Sequence, residues 1–311
     1  MRRLRSLLVP AAVAALALGG CAALTGEDGG ADEDGALDVL VSFYPLQFVA
    51  EQIGGERLDV SSLTPPGADP HSLELAPRTV SDMDGAALVV YLSGFQAAVD
   101  EAVAGTAAPT FDAADHTELL SPDHTEHDDQ DGHDHGAENL DPHFWLDPAR
   151  LAEVADALAE ELAGLDPDGA ATYRENADAL VDELQDLDED LTATLTRCER
   201  DTIVVAHEAY GYLTTDRGLH QEGLSGIDPE SEPSPARLAD ITRVVSEHDV
   251  ETIFVESLVS PAVSEALARD LGVSTTVLDP LENQLDESAD YLDVMRANLA
   301  ALSEALGCSS R

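Results

Sequence analysis

Tyr173, Ala177, Leu180, Leu184, Leu187, Leu191 and Leu195 succeed one another at spacings of three and four residues. One apolar face sustained for about 30 residues predicts a helix of roughly 45 Å. Asp166-Pro167 supplies an N-cap and a first-turn proline, so the helix is placed at residues 166–197. A stripe of that length is either the seam of a coiled-coil dimer or a single helix packed along the rest of its own chain. The second reading is adopted, because α/β patterns lie on both sides of it. A stiff connector of this kind allows only limited motion between what it joins.

On the N-terminal side, Leu37–Phe43, Leu58–Leu63 and Ala87–Leu92 read as buried strands. Pro45–Ile53 reads as a helix stopped by Gly54-Gly55. On the C-terminal side, Thr202–Ala206, Thr252–Glu256 and Thr275–Leu278 are strands, with Arg237–Glu247 and Pro261–Leu271 as helices. Alternation of strand and helix implies βαβ units around parallel sheets. The fold class is therefore α/β: two lobes with parallel-rich sheets, residues 37–165 and 198–311, joined by one long helix. With 44% hydrophobic residues among 311, cores of that size can form.

Arg2, Arg3 and Arg5 precede an apolar run from Leu7 to Leu18 that is too short to span a bilayer comfortably. Leu18-Gly19-Gly20-Cys21 follows and resembles a bacterial lipobox. Residues 1–20 are read as a signal peptide, Cys21 as the lipidated residue, and residues 21–36 as a Gly/Asp/Glu-rich flexible tether. An ordinary cleaved signal with an incidental cysteine is the alternative. Cys198 and Cys308 then remain as an even pair, read as a disulfide in an oxidising compartment or as two unrelated thiols.

The chain has 15 basic residues, all Arg, against 63 acidic ones, a formal charge of −48. Such a surface repels phosphate backbones, which excludes nucleic acid as a partner, and it attracts cations. Adaptation to salt or to a GC-rich genome produces the same balance. Without Lys there is neither a Schiff-base lysine nor a Walker A loop. From Asp112 to Glu138, His116, His124, His127, His133 and His135 stand among ten carboxylates with few apolar residues. This segment is expected to be disordered and to capture a transition metal weakly, a plain solvated acidic loop being the alternative.

Four further donors stand at element edges. His71 lies in Asp69-Pro70-His71, His143 in Asp141-Pro142-His143, His207 just after a strand, and Asp279 just after another. Ligands of open α/β sheets collect beyond the carboxyl ends of strands, so two donors from each lobe are expected to meet in the cleft between them. Three imidazoles and one carboxylate suit tetrahedral zinc. Glu256 is the alternative fourth donor or a neighbour that orients an imidazole, and water is a further alternative. Asp69, Asp141 and Asp147 either orient ligand imidazoles or form turns and caps beside proline. His220 and His248 read as surface residues. His207-Glu208 begins like the zinc-protease motif HExxH, but Gly211 stands where the second His is required. No GxSxG elbow and no GxGxxG after a strand is present, so the chain reads as no enzyme.

ADPHSLELAPRTVSDM (68–83), NLDPHFWLDPARL (139–151), YRENADALVDELQDLD (173–188), AHEAYGYLTTDRGL (206–219), GIDPESEPSPARL (226–238) and VLDPLENQ (277–284) occur in the order found in one family. Together they resemble the zinc/manganese solute-binding lipoproteins of bacterial ABC importers (cluster A-I, the zinc branch), over nearly all of residues 37–306. The resemblance implies metal in the interlobe cleft, with His71, His143, His207 and Asp279 as ligands. It implies capture of Zn²⁺ and delivery to an ABC permease and its ATPase. The protein would be a monomer, lipid-anchored at the outer face of the cell membrane. Manganese members usually have Glu where His207 stands; manganese binding on the same fold, or a metal-stabilised adhesin, are the rival readings. Ser93-Gly94-Phe95-Gln96 departs from the Gly-x-x-Glu turn expected in the family, which leaves that wall of the site open.

Overall fold

A computed structural model describes residues 35–121, 140–258 and 260–309. The signal peptide, Cys21, most of the tether, and His124, His127, His133 and His135 lie outside the described residues. The first lobe contains β1 (Leu37–Val41), α1 (Tyr44–Gly54), β2 (Leu58–Ser62), α2 (Pro77–Met83), β3 (Leu88–Tyr91), α3 (Ala97–Val103) and β4 (Thr110–Asp112). Two long helices follow, α4 (Pro148–Leu165) and α5 (Ala170–Leu195). The second lobe contains β5 (Thr202–Val205), α6 (Gly211–Thr215), β6 (His220–Gly223), α7 (Pro235–Glu247), β7 (Thr252–Val255), α8 (Ala262–Leu271), β8 (Ser274–Val277) and α9 (Tyr291–Leu306).

Each lobe carries a four-stranded sheet, ordered β2-β1-β3-β4 and β6-β5-β7-β8, with every pairing parallel. The six strands expected from apolar runs are all present, within one or two residues of their expected ends. β4 and β6 were not foreseen. β6 reads His-Gln-Glu-Gly along a sheet edge and buries only Gly223, so it carries no apolar signal. α1 ends at Gly54 because Gly55 turns the chain at φ +50°, and a Cβ on Gly54 would lie 2.2 Å from the Leu58 side chain.

All seven apolar positions of the α5 stripe are buried. The helix packs on α4 and α1 on one side and on α9 on the other. The stripe is therefore spent within the chain and is not a dimer seam. Asp166 does not cap this helix. Its Oδ2 accepts the Arg57 guanidinium at 2.6 and 3.0 Å and the Tyr173 hydroxyl at 2.9 Å, and charge-assisted bonds of this kind outweigh a backbone cap. The chain turns at 166–169 between α4 and α5 instead. The stretch 112–121, expected to be disordered, is also ordered. Ala113 is buried, Ala114, Leu119 and Leu120 pack on the core, and the Asp112 carboxylate caps the turn at Ala114.

One apolar core runs from Val39 and Phe43 through Trp145 and the α5 leucines to Tyr291 and Leu302, so it belongs to both lobes. Trp145, fully buried, donates from Nε1 to Pro280 O at 2.8 Å, and the Tyr291 hydroxyl donates to Trp145 O at 2.5 Å. Cys198 and Cys308 form a disulfide that ties the end of α5 to the residue beyond α9. Closing a loop of about 110 residues stabilises by roughly 4–5 kcal/mol in the chain-entropy model. Ten of the eleven described arginines are paired with a carboxylate, Arg197 being the exception.

Leu184 is central to the α5 face and fully buried. Leu184→Ala is expected to destabilise by about 2–5 kcal/mol, against within about 0.5 for the exposed Glu183→Ala. Denaturant unfolding of both variants checks this.

Candidate metal centre

Three segments beyond strand ends and the segment before α4 converge between the lobes. His71 lies on the irregular stretch after β2, where Asp69 Oδ1 accepts its backbone N–H at 2.8 Å. His143 stands in the same turn, with Asp141 Oδ1 accepting its N–H at 3.0 Å. His207 follows β5 by two residues. Glu282 follows β8 through Asp279-Pro280-Leu281, with Leu281 at φ +59°. His71, His143, His207 and Glu282 each place one donor atom within 4.8 Å of the others.

The geometry is tighter than that limit suggests. Glu282 Oε1 lies 3.1 Å from His71 Nε2, 3.3 Å from His143 Nε2 and 3.3 Å from His207 Nε2. The two last nitrogens are 3.3 Å from each other. Ligands about 2.0–2.1 Å from a tetrahedral centre stand about 3.3–3.4 Å apart, so these four separations are close to those between ligands of one tetrahedral zinc. His143 and His207 are fully buried and Glu282 is nearly so, whereas the His71 side chain keeps 11% exposure.

The other ring nitrogens are held by carboxylates. His143 Nδ1 meets Asp141 Oδ1 at 2.7 Å, and His207 Nδ1 meets Glu256 Oε1 at 2.7 Å. A carboxylate at Nδ1 fixes the ring and aims Nε2 inward, the arrangement that raises ligand basicity. Asp141 is itself placed by the second lobe. The buried Tyr212 hydroxyl donates to Asp141 O at 2.5 Å and accepts from Leu120 N at 2.8 Å. Gly211 is needed beside it, since a Cβ there would lie 2.9 Å from Asp141 Oδ2.

Burial alone pushes the His207 imidazole down, but hydrogen bonds to Glu256 and Glu282 outweigh it and hold it at about 10. His143 is likewise raised: burial opposes, and Asp141 and Glu282 prevail. Burial would lift the Glu282 carboxyl, but the three imidazoles hold it well below the usual carboxylate range. Without metal, His207 therefore keeps its proton at neutral pH, and a dication has to displace it.

The sequence expectations fare unequally. The three His come together, whereas Asp279 lies outside the group and Glu282 stands with them instead. Asp279 Oδ1 accepts Leu281 N at 2.8 Å, and its carboxylate also takes a hydrogen bond from the Ser257 side chain. Asp279 thus builds the turn that delivers Glu282 three residues later. Glu256 orients His207, Asp147 caps α4 at Ala149 N, and Asp69 only forms its turn. His116 stacks on Phe111 at 4.4 Å and is not among the grouped donors. His220 and His248 are exposed. At the departing Ser93–Gln96 turn, Phe95 sets its ring edge-on to His71 at 4.8 Å, and Gln96 donates to Thr64 Oγ1. A signal for Glu282 was present. In Asp-Pro-x the Asp is regularly consumed by its own turn, which leaves the next carboxylate free.

Two α/β lobes on a shared core thus enclose between them a nitrogen-rich donor cluster suited to a divalent metal. The chain belongs to the family described as zinc-uptake complex component A, periplasmic, which it matches over residues 39–305. It is 32% identical over 288 residues to the high-affinity zinc uptake system protein ZnuA of Bacillus subtilis, covering 89% of this chain and 90% of that one. It is 31% identical over 287 residues to the zinc-binding lipoprotein AdcA of Streptococcus pneumoniae, covering 87% of this chain and 56% of that one. The chain thus spans little more than half the length of that relative. Among solved structures, the laminin-binding protein Lmb of Streptococcus agalactiae, titled a bifunctional protein with adhesin and metal transporting activity, superposes with TM-score 0.78 at 33% identity. That match covers 87% of this chain and 100% of the other. Zn(II)-bound AdcA of Streptococcus pneumoniae gives 0.74 at 30%, covering 88% and 58%.

Two outcomes follow for the purified protein. Glu282→Gln is expected to lose at least about 100-fold in zinc affinity, and Asp279→Asn, which keeps the turn acceptor, clearly less. Equal losses in a chelator competition would return Asp279 to the ligand set. Because the raised imidazoles must lose protons, zinc binding should release them, and apparent affinity should rise with pH from about 6.5 toward 10. Calorimetry in buffers of different ionisation enthalpy reads the proton count, and a count of zero would contradict this protonation scheme.

Proposed function

We propose that this chain is the extracytoplasmic zinc-binding component of an ABC-type importer: it captures Zn²⁺ between its lobes and delivers it to a membrane permease driven by an ATPase. The observation that carries the reading is the approach of three imidazole Nε2 atoms to one carboxylate oxygen at 3.1–3.3 Å. Four protein donors leave no open position for a reacting water, which favours carriage over catalysis. Ligation is assigned to His71, His143, His207 and Glu282. The family's description and the zinc-binding relatives support the cargo, and the adhesin alternative is set aside. Residues 1–20 are proposed as the signal peptide, Cys21 as the lipid anchor at the outer face of the cell membrane, and the protein as a monomer. The long acidic segment with His124, His127, His133 and His135 is proposed as a weak metal collector. Deletion of the gene should produce growth loss that added zinc relieves; normal zinc uptake in the deletion strain would refute the assignment.

Metal choice rests on the nitrogen donors. Manganese prefers oxygen and sits at the weak end of the divalent series. His207→Glu would leave two nitrogens and two carboxylates. The variant should lose much of its zinc affinity and proportionately less manganese affinity, a narrowed preference rather than a reversed one. Competition of both metals in one chelator-buffered assay measures it, and wild-type zinc affinity in the variant would remove His207 from the ligand set.

A further inference from the structure

The ligands come from opposite lobes, so something must hold His71 against Glu282 across the boundary. The Glu282 side is anchored several times over. Tyr210 OH donates to Leu278 O at 2.8 Å, Asn298 brackets Asp279 through its N–H and C=O, and Trp145 holds Pro280 O. The His71 side has no such framework. It belongs to the stretch between β2 and α2, which contains no regular element, and His71 is the most exposed of the four donors.

Asn283, the residue after Glu282, is 92% buried and spends its amide on that stretch. Its Nδ2 donates to Pro65 O and to Ala68 O, both at 2.9 Å, and its Oδ1 accepts from Gly67 N at 3.1 Å. Both polar atoms are engaged, and exchanging them would set N–H against N–H at Gly67, so the orientation is fixed. The gripped turn is stiff: Pro65 and Pro66 restrict φ, Gly67 takes φ +75°, and Ala68 N closes the turn on Pro65 O at 3.0 Å. The Asp69 turn then leads directly to His71. Among the described residues, the hydrogen bonds between residues 64–76 and the second lobe are those of Asn283 and the His71–Glu282 pair.

We propose that Asn283 is a positioning residue for metal binding: its side chain fixes the 65–71 stretch to the Glu282 loop, so that His71 is in register with the three buried donors when the ion arrives. The inference rests on the zinc-carrier reading. Asn283 touches no metal; it acts through backbone on the ligand that is otherwise least constrained. Its loss leaves three donors in place and lets the fourth drift, which shows mainly in how fast the ion leaves.

The experiment compares wild type, Asn283→Ala, Asn283→Asp and a control, Asn176→Ala, which removes a bond to Ile53 O between α5 and α1. Zinc dissociation is timed by transfer to an excess of chelator, the Co²⁺-substituted proteins are examined by visible absorption, and the metal-free proteins are melted. Asn283→Ala should release zinc about 10-fold or more faster, in the range seen when partners that orient a ligand are lost. Its Co²⁺ band should be altered, and its metal-free melting should move no more than the control's. Asn283→Asp, nearly isosteric, should be at least as impaired, because a carboxylate would face two carbonyl oxygens. A wild-type dissociation rate in both variants would overturn the proposal. So would a faster release matched by an equal loss of metal-free stability with an unchanged Co²⁺ spectrum, which is a purely structural role. If wild type itself fails to bind one zinc tightly, the carrier reading falls and takes this inference with it; if wild type binds and the variants equal it, only the inference falls.

Discussion

A carboxylate oxygen ringed by three imidazole nitrogens is an arrangement that neither lobe makes alone. It also sets what surrounds it. Buried ionisable groups are costly unless each is paired and hydrogen-bonded. Here the charge is spread outward in steps: Glu282 among the three His, Asp141 behind His143, Glu256 behind His207. Each carboxylate arrives on a different element, so the positions of β5, β7 and β8 and of the segment before α4 are mutually dependent. Tyr212 extends the chain of dependence, since the residue that fixes Asp141 stands five residues after His207.

A single local device recurs around the centre. Of six Asp-Pro-x tripeptides in the sequence, five have the Asp Oδ1 accepting the N–H two residues on, at 2.8–3.0 Å. Proline fixes the intervening φ and removes a competing donor. Two of these turns deliver His71 and His143 directly, and one delivers Glu282 at one remove. The sixth, at Asp166, is diverted because Arg57 and Tyr173 offer the carboxylate stronger partners. Asp279 and Asp166 share one circumstance: each carboxylate is engaged by hydrogen bonds that only the fold reveals.

Much of the architecture was legible because it is written in apolar periodicity. The α5 stripe, the six runs that became β1, β2, β3, β5, β7 and β8, and the Gly54-Gly55 stop each carry a local pattern that burial requires. β6 was not, since an edge strand of His-Gln-Glu-Gly needs no apolar alternation. The three His were legible through their turns and strand ends. The roles of Asn283 and Tyr212 were not, because a side-chain amide and a hydroxyl bonding to backbone more than 70 residues away leave no periodicity to read.

The scarcity of cations on this protein also bears on the timing of what it does. Nearly every described arginine is already paired, so the bulk of 63 carboxylates remains uncompensated and projects a negative field into solvent. That field acts across a Debye length, about 10 Å at 0.1 M salt and about 30 Å at 0.01 M. Ionic strength therefore governs how often a dication is drawn toward the cleft, as it governs any electrostatically steered encounter. The inner donors are buried and screened far less, so the same salt leaves the hold on the ion almost untouched. On the zinc-carrier reading proposed above, arrival and retention fall to separate parts of the molecule, the first to its whole surface and the second to four side chains.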